Sequence, residues 1–66
     1  MNLTINGKSE AVESVRTLAD LLARLNLDQR QVVVELNERI IRRNDVEGTL
    51  LSNEDRLEIL RFVGGG

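Results

Sequence analysis

The chain opens on a strict alternation of apolar and polar positions. Met1, Leu3 and Ile5 fall on one side of an extended segment, with Asn2, Thr4 and Asn6 on the other, which is the pattern of a half-buried strand. Asn6-Gly7 follows at once. A two-residue type I′ turn needs positive φ at both central positions, which Asn and Gly accept, so the pair predicts a hairpin. Lys8 to Glu13 is then the returning strand, with Ala11 or Val12 as its inward residue. The period changes at Thr17, after which Leu18, Leu21, Leu22 and Leu25 recur at the spacing of one helical face. Thr17 is placed to cap that helix, and Asp20 stands where the acidic half of a capping box belongs. Asn26 is the expected stop, with Leu27 folding back onto the stripe.

The second half returns to strand chemistry. Val32 to Leu36 is β-branched, with Val32, Val34 and Leu36 on one side and Val33 and Glu35 on the other. Asn37-Glu38 is a short turn, and Arg39 to Arg43 is the partner strand, with charges suited to a sheet edge. Asn44 to Thr49 is polar and irregular, with room for a single helical turn. Leu50 and Leu51 are expected to return to the core, Ser52 to Asp55 is a turn cluster, and Leu57 to Val63 is the last strand. The order is hairpin, helix, hairpin, strand. The first hairpin can join the later strands in one sheet only by a crossover, and the helix is that crossover. If the last strand lies parallel beside the first, the fold class is α+β in two layers. It is a mixed sheet of four to five strands with one main helix packed on one face, the β-grasp or ubiquitin-like arrangement. Residues 1–63 are expected to form this domain and residues 64–66 a flexible glycine tail.

Composition narrows the chemistry. The 66 residues contain no cysteine and no histidine, which removes the thiol nucleophile, the thiolate metal site and the commonest general base. What remains is hydroxyls, carboxylates, one lysine, eight arginines and the chain ends, which argues against an enzyme. Ser9, Ser14 and Ser52 have no base to activate them. The net charge of −2 and the single aromatic, Phe62, oppose nucleic-acid binding, which needs a basic excess and stacking platforms. No apolar run exceeds three residues and no signal-peptide pattern is present, so a soluble, cytoplasmic protein is expected. Arg39, Arg42 and Arg43 lie among Glu35, Glu38, Asp45 and Glu47 and read as a solvated edge rather than a phosphate site. Glu54-Asp55 lacks the ligand count of a calcium loop.

Gly64-Gly65-Gly66 is the one biased segment. The plain reading is a frayed tail or a cloning remnant. The functional reading starts from the missing Cβ: glycine backbone threads a channel too narrow for side chains and takes any φ there. The reactive group it would deliver into another protein's active site is the carboxylate of Gly66.

Asn6-Gly7-Lys8, Thr17 to Leu22, Val34-Glu35-Leu36-Asn37, Ile40-Ile41, Asp55 to Ile59 and Phe62-Val63-Gly64-Gly65-Gly66 together resemble the ThiS family, the sulfur carriers of thiamine biosynthesis. The likeness covers the full length. The Phe-Val-Gly-Gly-Gly ending and the central Val-Glu-Leu-Asn discriminate most, since a diglycine ending is shared by every ubiquitin-like carrier. Some relatives have a proline after the fourth strand, where this chain has Arg42-Arg43. The resemblance implies a substrate protein without catalysis of its own and with no cofactor bound by the chain. A ThiF-like adenylating enzyme, using ATP and magnesium, would join AMP to Gly66. A persulfide sulfur from a sulfur-donating protein would displace the AMP and leave a thiocarboxylate. A ThiG-like thiazole synthase would then take that sulfur for the thiazole ring. Gly64 and Gly65 would serve by being small, and the free chain would be a monomer.

Alternation adds a docking surface. If Leu57 and Ile59 face the helix, then Glu58, Leu60 and Phe62 face away from it, joined by Val33 and Glu35. An exposed apolar cluster rimmed by charge, just upstream of the tail, suits a partner protein. The alternative is that Phe62 packs over the end of the sheet. Rival functions are a molybdopterin-type sulfur carrier, a ubiquitin-like protein modifier and an interaction module with an incidental tail. Longer chains are the rule in the molybdopterin branch.

Overall fold

The computed structural model describes residues 1–62. Strands β1 (Asn2–Ile5) and β2 (Lys8–Ala11) form the first hairpin and α1 (Leu18–Arg24) crosses over. Strands β3 (Val32–Leu36) and β4 (Arg39–Ile41) form the second hairpin, and β5 (Arg56–Arg61) closes the sheet. Single 3₁₀ turns occupy Gln29–Gln31 and Arg43–Asp45. The sheet order is β2-β1-β5-β3-β4, with β1 parallel to β5 and the other neighbours antiparallel. The last strand therefore sits in the centre, as expected from the topology. It is shorter than the pattern implied: it ends at Arg61, and Val63 lies outside the described residues. So do Gly64, Gly65 and Gly66, and with them the expected tail.

Local chemistry explains the helix. The Thr17 hydroxyl accepts from the Asp20 N–H at 3.1 Å, and the Asp20 carboxylate accepts from the Thr17 and Arg16 N–H groups at 3.1 and 2.9 Å. Both halves of the capping box are thus made. At the other end Asn26 takes a φ of 60°. Its N–H donates to the Ala23 carbonyl (3.0 Å), and the Leu27 N–H donates to Leu22 (2.8 Å). That pair of bonds is a Schellman motif with Asn in the left-handed position usually held by Gly.

One face of the sheet and α1 enclose the core. Leu3, Leu18, Leu21, Leu22, Val34 and Leu57 are at most 2% exposed, and Ile5, Val12, Val15, Val46, Leu51 and Ile59 complete it. Among the described residues no polar or charged side chain is buried. Some sequence expectations shift. Leu25 is the C-cap, where the helical path ends, and it lies outside the buried core, 38% exposed. Leu50 is solvent-facing, because its backbone bridge to Thr17 turns Leu51 inward and Leu50 outward. Met1 precedes the first strand and is also exposed. Val12, not Ala11, is the inward residue after β2. Val15 and Val46, from segments without periodicity, supply core in their place. Among the described residues no helix is long and apolar enough to cross a membrane.

Both two-residue turns carry asparagine at φ 51°, followed by Gly7 at 83° and Glu38 at 71°. Both asparagines also bond β5. Beyond the backbone bonds Thr4 N–H to Asp55 (2.9 Å) and Asn6 N–H to Leu57 (2.8 Å), the Asn6 carboxamide extends the ladder by one more peptide. Its Nδ2 donates to the Ile59 carbonyl (3.2 Å), and its Oδ1 accepts from the Ile59 N–H (2.7 Å). On the other side Asn37 donates its N–H to Arg56 (2.8 Å) and accepts from the Arg56 N–H through Oδ1 (3.0 Å). Its Nδ2 donates to Asp55 Oδ1 at 3.0 Å.

Asn6→Gly keeps the turn conformation but removes two part-buried hydrogen bonds, so it is expected to cost about 1–3 kcal/mol in urea unfolding. Asn37→Gly, whose bonds are exposed, should cost less. Stability should also fall in acid. The Asp28 carboxylate is held down to about 2 from 3.8, chiefly by hydrogen bonds from the Arg30 side chain and backbone. Asp20 is lowered by the Arg16 and Thr17 backbone N–H groups. Each group is more acidic when folded, so its contribution is complete above the unfolded value near 3.8 and is lost as pH falls below it, for Asp28 toward about 2. Thermal midpoints of wild type and Asp28→Asn should therefore converge over that acid window.

Candidate functional site

The register of the sheet assigns every outward side chain. Val33 stands opposite Leu60, and Glu35 stands between Glu58 on one side and Ile40 on the other. Thr4 faces Arg56 across the parallel seam. Because strand side chains alternate, these residues lie on the face away from α1, while Leu57 and Ile59 are buried beneath it. The exposures agree: Leu60 71%, Ile40 67% and Val33 43%.

Phe62, one residue past β5, is 44% exposed, and its N–H donates to the Gln31 carbonyl at 3.0 Å. It lines a concavity of about 220 Å³ whose walls come from both sides of the sheet, Val33 and Ile40 from the outward face and Val32, Val34, Ile41 and Val46 from the core side. Phe62 is therefore half-exposed at the end of the sheet, beside residues of both faces.

The open face divides along β5. Toward the end of the strand it is apolar, with Val33, Leu60, Ile40 and Phe62. Toward its start is a larger concavity, about 480 Å³, lined by Thr4, Glu35, Glu38, Arg56 and Glu58 among others. Glu35 and Glu58 occupy directly opposed positions on neighbouring strands, an arrangement that costs stability. The one ion pair among the described residues, Arg30 with Asp28 at 2.8 Å, lies elsewhere. Among the described residues no group of three potential ligands could hold a metal ion.

The sequence-predicted residues Val33, Leu60, Glu58 and Phe62 are therefore exposed together, while Gly64, Gly65 and Gly66 lie outside the described residues. Ile40 is the member the sequence reading passed over. The alternation Arg39-Ile40-Ile41 carried the signal, since Ile41 opposite Val34 sends Ile40 outward.

A five-stranded mixed sheet with its last strand central and one helix on one face defines a β-grasp, ubiquitin-like protein. Residues 3–66 match the model of the ThiS family. The sequence is 38% identical to the sulfur carrier protein ThiS of Bacillus subtilis, over 97% of this chain and 98% of that protein. A thiazole synthase of Paramagnetospirillum magneticum is 36% identical over the whole of this chain, which spans only 20% of that enzyme's length. The crystal structure of a thiamine biosynthesis protein (ThiS) from Geobacter metallireducens superposes with a TM-score of 0.82 and 38% identity, covering 100% of both chains. The chain belongs to the ThiS family.

Removing one of the two opposed carboxylates relieves their repulsion. Glu58→Gln is expected to leave the fold intact and to raise stability by less than ~1 kcal/mol, read from the urea midpoint.

Proposed function

We propose that this chain is a sulfur carrier of thiamine biosynthesis whose Gly66 carboxylate is the group that carries sulfur. As a ThiS-family protein it is acted on by enzymes and is not itself a catalyst. The observation that supports the finer reading is the extent of the family match, which takes in Gly64, Gly65 and Gly66 beside an apolar face on the strand that leads into them.

A carboxylate anion is a poor electrophile. A ThiF-like enzyme using ATP and magnesium would join AMP to Gly66 and release pyrophosphate. A persulfide sulfur from a donor protein would attack the acyl carbon and expel AMP, and thiol cleavage of the resulting S–S bond would leave the thiocarboxylate. A ThiG-like thiazole synthase would then take the sulfur. The full-length match to one segment of a thiazole synthase supports a partner of that kind. On this reading the chain acts in the cytoplasm.

The partner-docking surface is Leu60, Phe62 and Val33, with Glu58 at its charged border and Ile40 added by the structure. Glu58 and Leu60 stand on the central strand β5, with Val33 and Ile40 beside them on β3 and β4, so the grip offered to a partner includes the strand that runs toward the tail. Gly64 and Gly65 pass where side chains would obstruct.

Incubation with ATP, the adenylating enzyme and a sulfur source should replace one oxygen of the chain by sulfur, as read by intact mass, and an extra residue after Gly66 should abolish the change. No mass change with an active enzyme would overturn the proposal. Leu60→Ala is expected to leave stability within about 0.5 kcal/mol, since Leu60 is exposed. It should slow AMP transfer by roughly tenfold, the effect of truncating an interface anchor. Parallel loss of folding would remove the docking role.

A further inference from the structure

Asn6-Gly7 combines a turn with a reactive dipeptide. We propose that Asn6 is a site of spontaneous deamidation that the folded sheet suppresses, so that the chain is modified there whenever the seam between β1 and β5 opens. Of the six asparagines, Asn6 alone precedes a glycine. The reaction requires the backbone nitrogen of the following residue to attack the side-chain carbon Cγ. Glycine at that position leaves the backbone free to reach the ring-closing conformation. A bond forms between the Gly7 nitrogen and Asn6 Cγ, and the Cγ–Nδ2 bond breaks. The amide proton leaves with Nδ2 as ammonia. Water then opens the cyclic imide at either carbonyl, giving aspartate or isoaspartate at position 6. No electrons are exchanged.

The native structure opposes the first step. The Asn6 carboxamide is hydrogen-bonded at both ends to Ile59, with Nδ2 to the carbonyl at 3.2 Å and Oδ1 from the N–H at 2.7 Å. It cannot turn toward Gly7 without giving up both bonds. The turn also fixes φ at 51° for Asn6 and 83° for Gly7. The protecting contact spans 53 positions in sequence, so protection depends on the assembled sheet and is absent from the isolated hairpin.

Either product disfavours closure. Aspartate has no donor for the Ile59 carbonyl, and isoaspartate adds a backbone methylene to a two-residue turn. Opening therefore leads to a chain that holds its central strand less firmly on the β1 side, where the backbone bonds of Thr4 and Asn6 remain. Asn37 is a built-in control: it shares the φ of 51° and the bond to β5, but is followed by Glu38.

The test incubates the full chain in mildly alkaline buffer, folded and in parallel in urea, and follows residue 6 by intact mass and peptide mapping. Asn6 should lose its amide in urea and do so at least about tenfold more slowly when folded, because reaction then awaits opening. Asn37 should stay intact in both. Leu18→Ala, which weakens the core away from the turn, should speed the loss in buffer. Equal rates folded and unfolded overturn the shielding, and an intact Asn6 in urea overturns the site. Asn6→Asp should have a lower thermal midpoint than wild type, and an unchanged midpoint overturns the claim that the product weakens the seam.

Discussion

Strand β5 is held from both sides by the side-chain amides of two turn asparagines, and the rest of the sheet is organised around that clamp. Asn6 ends β1 and bonds Ile59, while Asn37 ends β3 and bonds Arg56 and Asp55. In each hairpin one residue does two things. It accepts the positive φ that a two-residue turn demands, and it supplies a carboxamide that imitates the next peptide group of the ladder. The backbone of β1 has turned away by Ile59, whose N–H and carbonyl would be left to water without the Asn6 amide, while Asn37 meets the Arg56 carbonyl with its own N–H and the Arg56 N–H with its amide. A chain of 66 residues buries only about 60% of the surface it exposes when unfolded. In so small a domain a few well-placed polar contacts are a large part of what makes one strand order preferable to another.

The clamp also explains how a strand at the end of the described chain can serve as the sheet's central element. Leu57 and Ile59 are locked into the core under α1, while Glu58 and Leu60, which alternate with them, are displayed. Core and candidate docking surface thus alternate along a single strand, and neither can shift without the other. For a carrier this is an economical arrangement, because a partner that grips Leu60 and Phe62 also fixes where the glycines begin. The opposed carboxylates Glu35 and Glu58 sit beside this apolar surface and form no ion pair among the described residues. Their mutual repulsion is a small cost to the free domain at the border of the face proposed for docking.

Much of the fold was legible because its signals are local. The alternation of Leu3 and Ile5, the Asn6-Gly7 turn, the Thr17–Asp20 capping box, the Asn26 stop and the β-branched run at Val32 all act within a few residues, and all appear in the structure. The parallel placement of the last strand beside the first followed from topology. The outward set Val33, Glu58 and Leu60 followed from period two once Leu57 and Ile59 were assigned inward. Expectations slipped where periodicity meets an element's end. Leu25 continues the leucine stripe but falls on the C-cap, and Met1 continues the alternation but precedes the strand. Leu50 and Leu51 are alike in sequence, and only the bridge from Leu50 to Thr17 decides which points inward.

The amino-acid order by itself determined the elements, their facing residues and the chemistry available, because propensity, capping and alternation depend on near neighbours. It also held the Gly64-Gly65-Gly66 segment and the poverty of reactive side chains that point to a carrier. The tertiary structure decided which distant groups meet: Asn6 with Ile59, Asn37 with Arg56, Val46 with the helix, and Glu35 with Glu58. Those contacts join positions far apart in sequence, and their existence depends on the registry of strands that pair only after the chain has crossed over. A local pattern can say that Asn6 will turn the chain, but the hydrogen-bond partner its amide finds is set by where β5 comes to rest.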